Sequence, residues 1–270
     1  MDKMTDDKMV EDKIAGSKMA KDKTADVIIL AGEQLIKGLE DAGNKALYII
    51  NSKMMIEYVI DAVKAAKDIN RIVVVGPKDK LSVHLYNKVD AVIDSSGNIM
   101  ENVMAGIKHL KPQGNILICS CDIPLITTEA IDDFISRAKS LNVDLCYPIV
   151  EKTVNDNKYP GIERTYVKIR EGKFTGGNIF YVNPKEVERG LFFANKLVKA
   201  RKNPVKMARL LSLSFMLRLI IGNLTISAIE DKFSKITGVK ARAVVSQYPE
   251  VGQDIDKFSD IRMASYYLNG

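Results

Sequence analysis

Asp26-Val-Ile-Ile-Leu-Ala-Gly32 is the stretch on which the fold turns. Five apolar residues, two of them adjacent isoleucines, run without polar interruption into a glycine. A strand that is apolar on both faces belongs inside a sheet covered on both sides. Similar runs recur down the chain at Ala46–Ile50, Arg71-Ile-Val-Val-Val75, Val89–Ile93, Asn115-Ile-Leu-Ile-Cys119 and Val143–Val150. Between them lie segments with helical spacing. Lys53–Lys67 carries Met54, Met55, Tyr58, Val59, Ala62, Val63 and Ala66 on one face, and Asn98–Leu110 and Thr127–Ser140 follow the same pattern. Strands alternating with helices predict an α/β fold built on a parallel sheet, with its ligand crevice beyond the carboxyl ends of the strands. The loops after Ala31, Ile93 and Cys119 are then expected to line one crevice.

Past Val150 the pattern changes. Tyr166–Arg170 and Phe174–Val182 read as a strand pair around Glu171-Gly172-Lys173. Lys185–Lys199 and Val205–Ile221 read as helical, and Thr225–Thr237 as a helix capped by Thr225 and stopped by Gly238. Lys240–Val245 returns to strand, and Lys257–Leu268 closes as a helix.

The first 24 residues stand apart. Lysines recur every five residues from Lys3 to Lys23, and six lysines balance six acids. A period of five matches neither helix nor strand, so the segment reads as a disordered low-complexity tail. The expected layout is therefore this tail over 1–24, a core over 25–188, a basic apolar helical insert over 189–238, and a strand and helix over 239–270 that complete the core.

Composition narrows the function classes. The 270 residues carry 46% hydrophobic and 27% charged side chains, an ordinary globular balance. No uninterrupted apolar run of about 18 residues occurs, which argues against a polytopic membrane protein. Three cysteines, Cys119, Cys121 and Cys146, form neither a disulfide framework nor a zinc or Cys-x-x-Cys motif, and fit reduced thiols in the cytoplasm. Two histidines, His84 and His109, are too few for a multi-His metal site. The net charge of +6 is local rather than global: residues 189–222 hold eight basic residues and no acid. Arg209 and Arg218 lie nine apart, which on one continuous helix puts them on opposite sides, so no clean amphipathic stripe results. The stretch leaves three surfaces open to it: its own sheet, a second subunit as in a homodimer, or an anionic membrane met peripherally. Nucleic acid is not expected, because no recognised module or aromatic platform accompanies the charge.

Three places carry chemistry. The loop after the first strand, Leu30-Ala-Gly32 through Lys37 to Lys45, has glycines at 32, 38 and 43 that let backbone N–H groups approach an anion. Cys119-Ser-Cys-Asp122-Ile-Pro-Leu puts an acid at a strand's carboxyl end, where it suits Mg²⁺; Thr127 and Thr128 already serve the competing role of helix cap. In Gly252-Gln-Asp254-Ile-Asp256-Lys-Phe-Ser-Asp260 the first two acids alternate, so one is free to face a metal and the other to cap the last helix.

Taken in order with Asn51-Ser-Lys-Met-Met-Ile-Glu-Tyr-Val and Thr175-Gly-Gly-Asn178, these motifs resemble the MobA-like nucleotidyltransferases of the GT-A type fold. The resemblance runs from about Ala25 to Leu268, apart from 189–238. It implies a Rossmann-like, mixed but mainly parallel sheet flanked by helices, with a small helical insert. It also implies a cytoplasmic enzyme in which the phosphate of a small-molecule acceptor attacks the α-phosphate of an NTP and pyrophosphate leaves. Carried over residue by residue, Leu30, Ala31, Gly32, Lys37 and Lys45 would hold the triphosphate, with Lys37 near the position of a common family Arg. Ser96, Gly97, Asn98 and Asn102 would read the base, and Gly176, Gly177 and Asn178 would face the acceptor. Lys45 and Asp122 would be catalytic, and Asp122 with Asp254 (or Asp256) would bind Mg²⁺ (or Mn²⁺). One departure stands out. The family's Leu-Ala-Gly-Gly is Leu-Ala-Gly-Glu33 here, and a carboxylate beside a triphosphate is repulsive. This keeps open the alternative of a weak or inactive nucleotide-binding or regulatory relative, membrane-associated through the insert.

Overall fold

A computed structural model of the chain describes residues 24–32, 35–38, 44–95, 97–200 and 203–269. The repeat over residues 1–23, and with it Glu33 and Ser96, lies outside the described residues.

The run quoted above is strand β1, Ala25–Leu30. It pairs in parallel with β4, Ile69–Gly76, on one side and with β6, Ile116–Ser120, on the other. A further strand, β5, Ala91–Asp94, extends the sheet beyond β4, also in parallel. At the far edge of β6 the direction reverses. Strand β10, Ile179–Val182, runs antiparallel to β6 and to β7, Leu145–Glu151, while β11, Ala241–Ser246, lies parallel to the other edge of β7. The hairpin of β8, Val167–Ile169, and β9, Gly172–Gly176, continues along β7. The result is one mixed, mainly parallel nine-stranded sheet.

Its two faces follow from strand alternation. Val27 and Ile29 point to one side, where they pack with Ile56, Val59, Ile60 and Val63 of helix Met55–Ala65 and with Ile131, Phe134 and Ile135 of helix Thr128–Leu141. Ile28 points to the other, against Val103 and Leu110 of helix Ile99–Leu110 and Val187 of helix Val187–Ala200.

Several elements depart from the sequence expectation. Ala46–Ile50 divides into a 3₁₀ turn, Lys45–Leu47, and a two-residue strand, β2, Ile49–Ile50. That strand turns back on β3, Lys53–Met54, through Asn51 and Ser52, whose φ values of 48° and 69° match the right-handed strand twist. Helices Lys78–Leu85 and Lys152–Lys158 escaped the sequence reading because each buries so few apolar residues: Leu81 and Leu85 in the first, none in the second. The expected helix over Val205–Ile221 breaks at Ser212, where φ is 73°, into Pro204–Leu211 and Leu213–Ile220. The nine-residue spacing of Arg209 and Arg218 therefore does not measure a single helix. Helix Leu213–Ile220 exposes Leu213, Leu217 and Ile220 on one stripe. Among the described residues no helix is long and apolar enough to cross a membrane. Thr225 does cap helix Ile226–Thr237, accepting from the Ala228 N–H, and Gly238 ends it at a φ of 74°.

Candidate active site

The carboxyl ends of β1 and β6 open into a polar cavity of about 320 Å³. Leu30, Gly32, Asn102, Asp122, Asn178, Asp254 and Asp256 line it. The backbone ties the walls together. The Cys121 N–H donates to the Leu30 carbonyl at 3.0 Å, and the Ser120 N–H to that of Asn178 at 3.1 Å. The Ile255 N–H reaches the Asp122 carbonyl at 2.9 Å, which brings the late Asp254–Asp256 segment against the end of β6.

Lys45 is the centre of the charge arrangement. It sits in the 3₁₀ turn whose cap is Asn44; that side chain accepts from the Ala46 N–H at 2.9 Å. Its Nζ donates to Asp122 Oδ2 at 2.6 Å and to Asp256 Oδ1 at 3.0 Å. The Lys45 and Asp122 side chains are 2% and 7% exposed, whereas that of Asp256 is 71% exposed. The other Asp122 oxygen accepts from the Ser120 hydroxyl. Asp254 pairs with Arg164, Nη1 to Oδ1, at 2.5 Å. The Asp260 carboxylate accepts from the Asp256 and Lys257 N–H groups and so caps the last helix, Phe258–Leu268.

These contacts set the ionisation of the cluster. Burial opposes the charge on Lys45, yet Asp122 and then Asp256 together hold its pKa above the usual lysine value. Burial likewise works against ionisation of Asp256, but its bond to Lys45 outweighs this and leaves the carboxyl below its ordinary range. Asp254 goes the other way. Burial pushes it up, Asp256 and Asp122 push in the same direction, and the Arg164 guanidinium opposes them. Asp122, Asp254 and Asp256 each offer an oxygen within 4.8 Å of the others. Three hard oxygen donors with surplus negative charge are a donor set for a divalent cation such as Mg²⁺.

Other residues singled out in the sequence fall elsewhere. Ala31 is fully buried behind the crevice, its N–H bonded to the Val75 carbonyl. Lys37 is exposed, and its backbone N–H ties the first loop to the Asp256 carbonyl at 3.0 Å. Asn98 caps helix Ile99–Leu110 through bonds from the Met100 and Glu101 N–H groups. Gly97 and Asn98 are not part of the cavity wall, whereas Asn102 is, with its Nδ2 4.0 Å from a Cβ built at Gly32. Gly176 ends β9 and Gly177 opens the break before β10, where a Cβ at Gly177 would come within 2.6 Å of Pro148. Arg164 and Ser120 were not anticipated. Ser120 had a signal in its place two residues before Asp122 on the same strand end; Arg164 had none, since only the fold brings residue 164 to residue 254.

Comparison with known proteins gives the same picture. Residues 27–208 match the MobA-like NTP transferase domain family. A probable molybdenum cofactor guanylyltransferase from Thermococcus gammatolerans is 28% identical over 150 residues, which span 56% of this chain and 75% of that protein. The structure of a hypothetical transferase from Thermus thermophilus is 33% identical with a TM-score of 0.78, over 88% of this chain and 99% of that one. The 4-diphosphocytidyl-2C-methyl-D-erythritol synthase of Anaerococcus prevotii shares the fold at 15% identity and a TM-score of 0.56, over 92% of this chain and 99% of that one. The chain belongs to the MobA-like NTP transferase family and is a nucleotidyltransferase with a GT-A-like fold.

Proposed function

We propose that the protein transfers an NMP group from an NTP to the phosphate of a small-molecule acceptor in a Mg²⁺-dependent reaction. An acceptor phosphate oxygen forms a bond to the α-phosphorus, the bond from the α-phosphorus to the β-phosphate bridging oxygen breaks, and pyrophosphate leaves. The observation that carries this reading is the buried Lys45 ammonium held between Asp122 and Asp256 at the carboxyl end of the sheet. A protonated ammonium has three N–H donors; two are engaged here, and the third suits a phosphate oxygen. Little covalent chemistry is needed, so positioning and charge neutralisation supply the rate.

The roles follow from position. Leu30, Ala31 and Gly32 present the strand end to the triphosphate, with Lys45 as its fixed positive charge and Lys37 on the outer side of the loop. Asn102 is the residue of the proposed base-reading set that reaches the cavity; Gly97 and Asn98 shape the helix start that places it. Asn178, with Gly176 and Gly177 behind it, faces the acceptor. Asp122 with Asp254 or Asp256 would hold Mg²⁺ (or Mn²⁺), which when bound neutralises charge on the triphosphate. Ser120 holds one Asp122 oxygen and Arg164 holds Asp254, so both orient the carboxylates. Residues 189–238 form an insert between a core over 25–188 and its completion over 239–270. The three free, buried cysteines suit the cytoplasm. Nothing in the described crevice favours a relative without turnover, since the lysine and the three acids the chemistry calls for stand together.

The test is pyrophosphate release by the full chain with Mg²⁺, across the four NTPs and a panel of phosphorylated acceptors. Release that depends on both substrates, and that Asp122→Ala abolishes, is expected. No release with any pair, or full activity in Asp122→Ala, overturns the reading.

A further inference from the structure

A second cavity of about 290 Å³ lies on the sheet face beneath helices Ile99–Leu110, Val187–Ala200 and Ile226–Thr237. Its character is opposite to that of the crevice. Among the described residues Tyr147 and Glu230 are the polar ones in its wall, and the Glu230 carboxylate is already engaged: Oε1 accepts from the Ala243 N–H at 2.6 Å and Oε2 faces Arg242 Nε at 3.7 Å. Apart from Gly190, the remaining described lining is aliphatic or aromatic, Val182, Leu191, Ile229 and Phe233 among it. A Cβ built at Gly190, in the cavity roof, meets no atom within 4 Å. The two cavities are neighbours. Leu30, Ile99, Ile118 and Phe180 line both, and Ile99 and Phe180 remain 61% and 38% exposed between them.

A space of this size, within reach of the roughly 300–1,000 Å³ of ligand sites, accommodates an apolar body and offers almost nothing to a polar one. The polar cavity beside it is lined by Asp122, Ser120 and Asn178. Resting on the nucleotidyltransfer reading above, we infer that the acceptor is amphipathic: a phosphate monoester whose apolar substituent fills this second cavity while its phosphate lies in the polar crevice. The polar end is thereby aimed at the α-phosphorus by burial of the other end. The balance of the transfer is unchanged, with the acceptor phosphate oxygen forming the new P–O bond and pyrophosphate leaving.

Calorimetry on the full chain with Mg²⁺ and no NTP compares ethyl phosphate with octyl phosphate. Octyl phosphate is expected to bind at least about tenfold more tightly, since each buried methylene adds to affinity. Farnesyl phosphate held in phosphatidylcholine vesicles distinguishes a lipid source from a soluble one, and tight binding of either apolar ester supports the cavity. Gly190→Leu places a side chain in the open space and removes the preference, with a melting temperature no lower than wild type because leucine also favours the helix. Gly190→Ala, a much smaller plug, keeps the preference. Equal affinity for the ethyl ester and both apolar esters, or a preference that a folded Gly190→Leu retains, overturns the inference; the wild-type comparison decides it even where that variant fails to fold. Tight octyl phosphate binding without NMP transfer to it, beside NTP-dependent pyrophosphate release with polar acceptors, removes the acceptor assignment and leaves the proposed function standing. Absence of release with every acceptor removes the proposed function itself.

Discussion

Replacing Lys45 by methionine keeps the buried stem and removes the ammonium. In the protein that ammonium is 2.6 Å from Asp122 Oδ2 and 3.0 Å from Asp256 Oδ1. The two acids do not lose equally. The Asp256 side chain is 71% exposed and is solvated without its partner, so it contributes little. The Asp122 side chain is 7% exposed and would keep a buried charge whose remaining side-chain bond, among the described residues, is from the Ser120 hydroxyl. Breaking a buried pair from one side costs about 3–5 kcal/mol, and with one buried acid at stake the lower end applies, about 3 kcal/mol. For a chain of this size that is a fall of roughly 6–12 °C in melting temperature. Thermal melts followed by circular dichroism measure it. Lys45→Met/Asp122→Asn removes the stranded charge together with its partner and should recover at least half of the loss. Added Mg²⁺ should raise the melting temperature of Lys45→Met more than that of wild type, because three carboxylates then face the cation without a competing ammonium. A single variant that melts within about 2 °C of wild type, or a double variant no more stable than the single, would show that the pair is not the electrostatic centre described.

Two further outcomes test the frame of the site. Gly76 ends β4 beside Ala31, and a Cβ there would stand 2.3 Å from the Ala31 carbonyl oxygen and 2.5 Å from Leu81 Cδ1. Gly76→Ala should therefore cost about 2–3 kcal/mol in urea unfolding and weaken nucleotide binding by shifting Gly32; a change below about 0.5 kcal/mol refutes the close approach. Burial pushes the Cys119 thiol up to about 12 and the Cys146 thiol to about 11, against a reference of 9.0. The folded thiols thus stay neutral where unfolded ones ionise. Their contribution to stability is complete below pH 9 and is lost as pH rises through these folded values. At pH 8 Ellman's reagent should find the native cysteines unreactive and count all three only in denaturant, and rapid native labelling would contradict this burial.

The parts of the site legible in the sequence are those that sit at strand ends. Asp122 follows an apolar run and Gly32 ends another, so the rule that ligands bind beyond the carboxyl ends of strands located both. Capping chemistry located the starts at Thr127 and Thr225 equally well. What stayed hidden depends on long-range packing. Arg164 meets Asp254 only because the chain doubles back through the β8–β9 hairpin and returns along β11. The choice between Asp254 and Asp256 was open for the same reason: strand alternation separates them, yet the structure brings oxygens of both near Asp122. The break at Ser212 was invisible because serine is ordinarily indifferent in a helix, and nothing local announces a φ of 73°.

Lys45 and Asp256 meet across 211 residues of chain. A ribosome adding about 5–20 residues per second needs roughly 10–40 s to synthesise that interval. Once residue 122 is made, the growing polypeptide can assemble β1, β4 and β6 but holds Asp122 and Lys45 without their third member for the rest of that time. The charge cluster is thus finished by a segment that emerges well after β1, β4 and β6, so nascent chains carry the scaffold before they carry a completed centre.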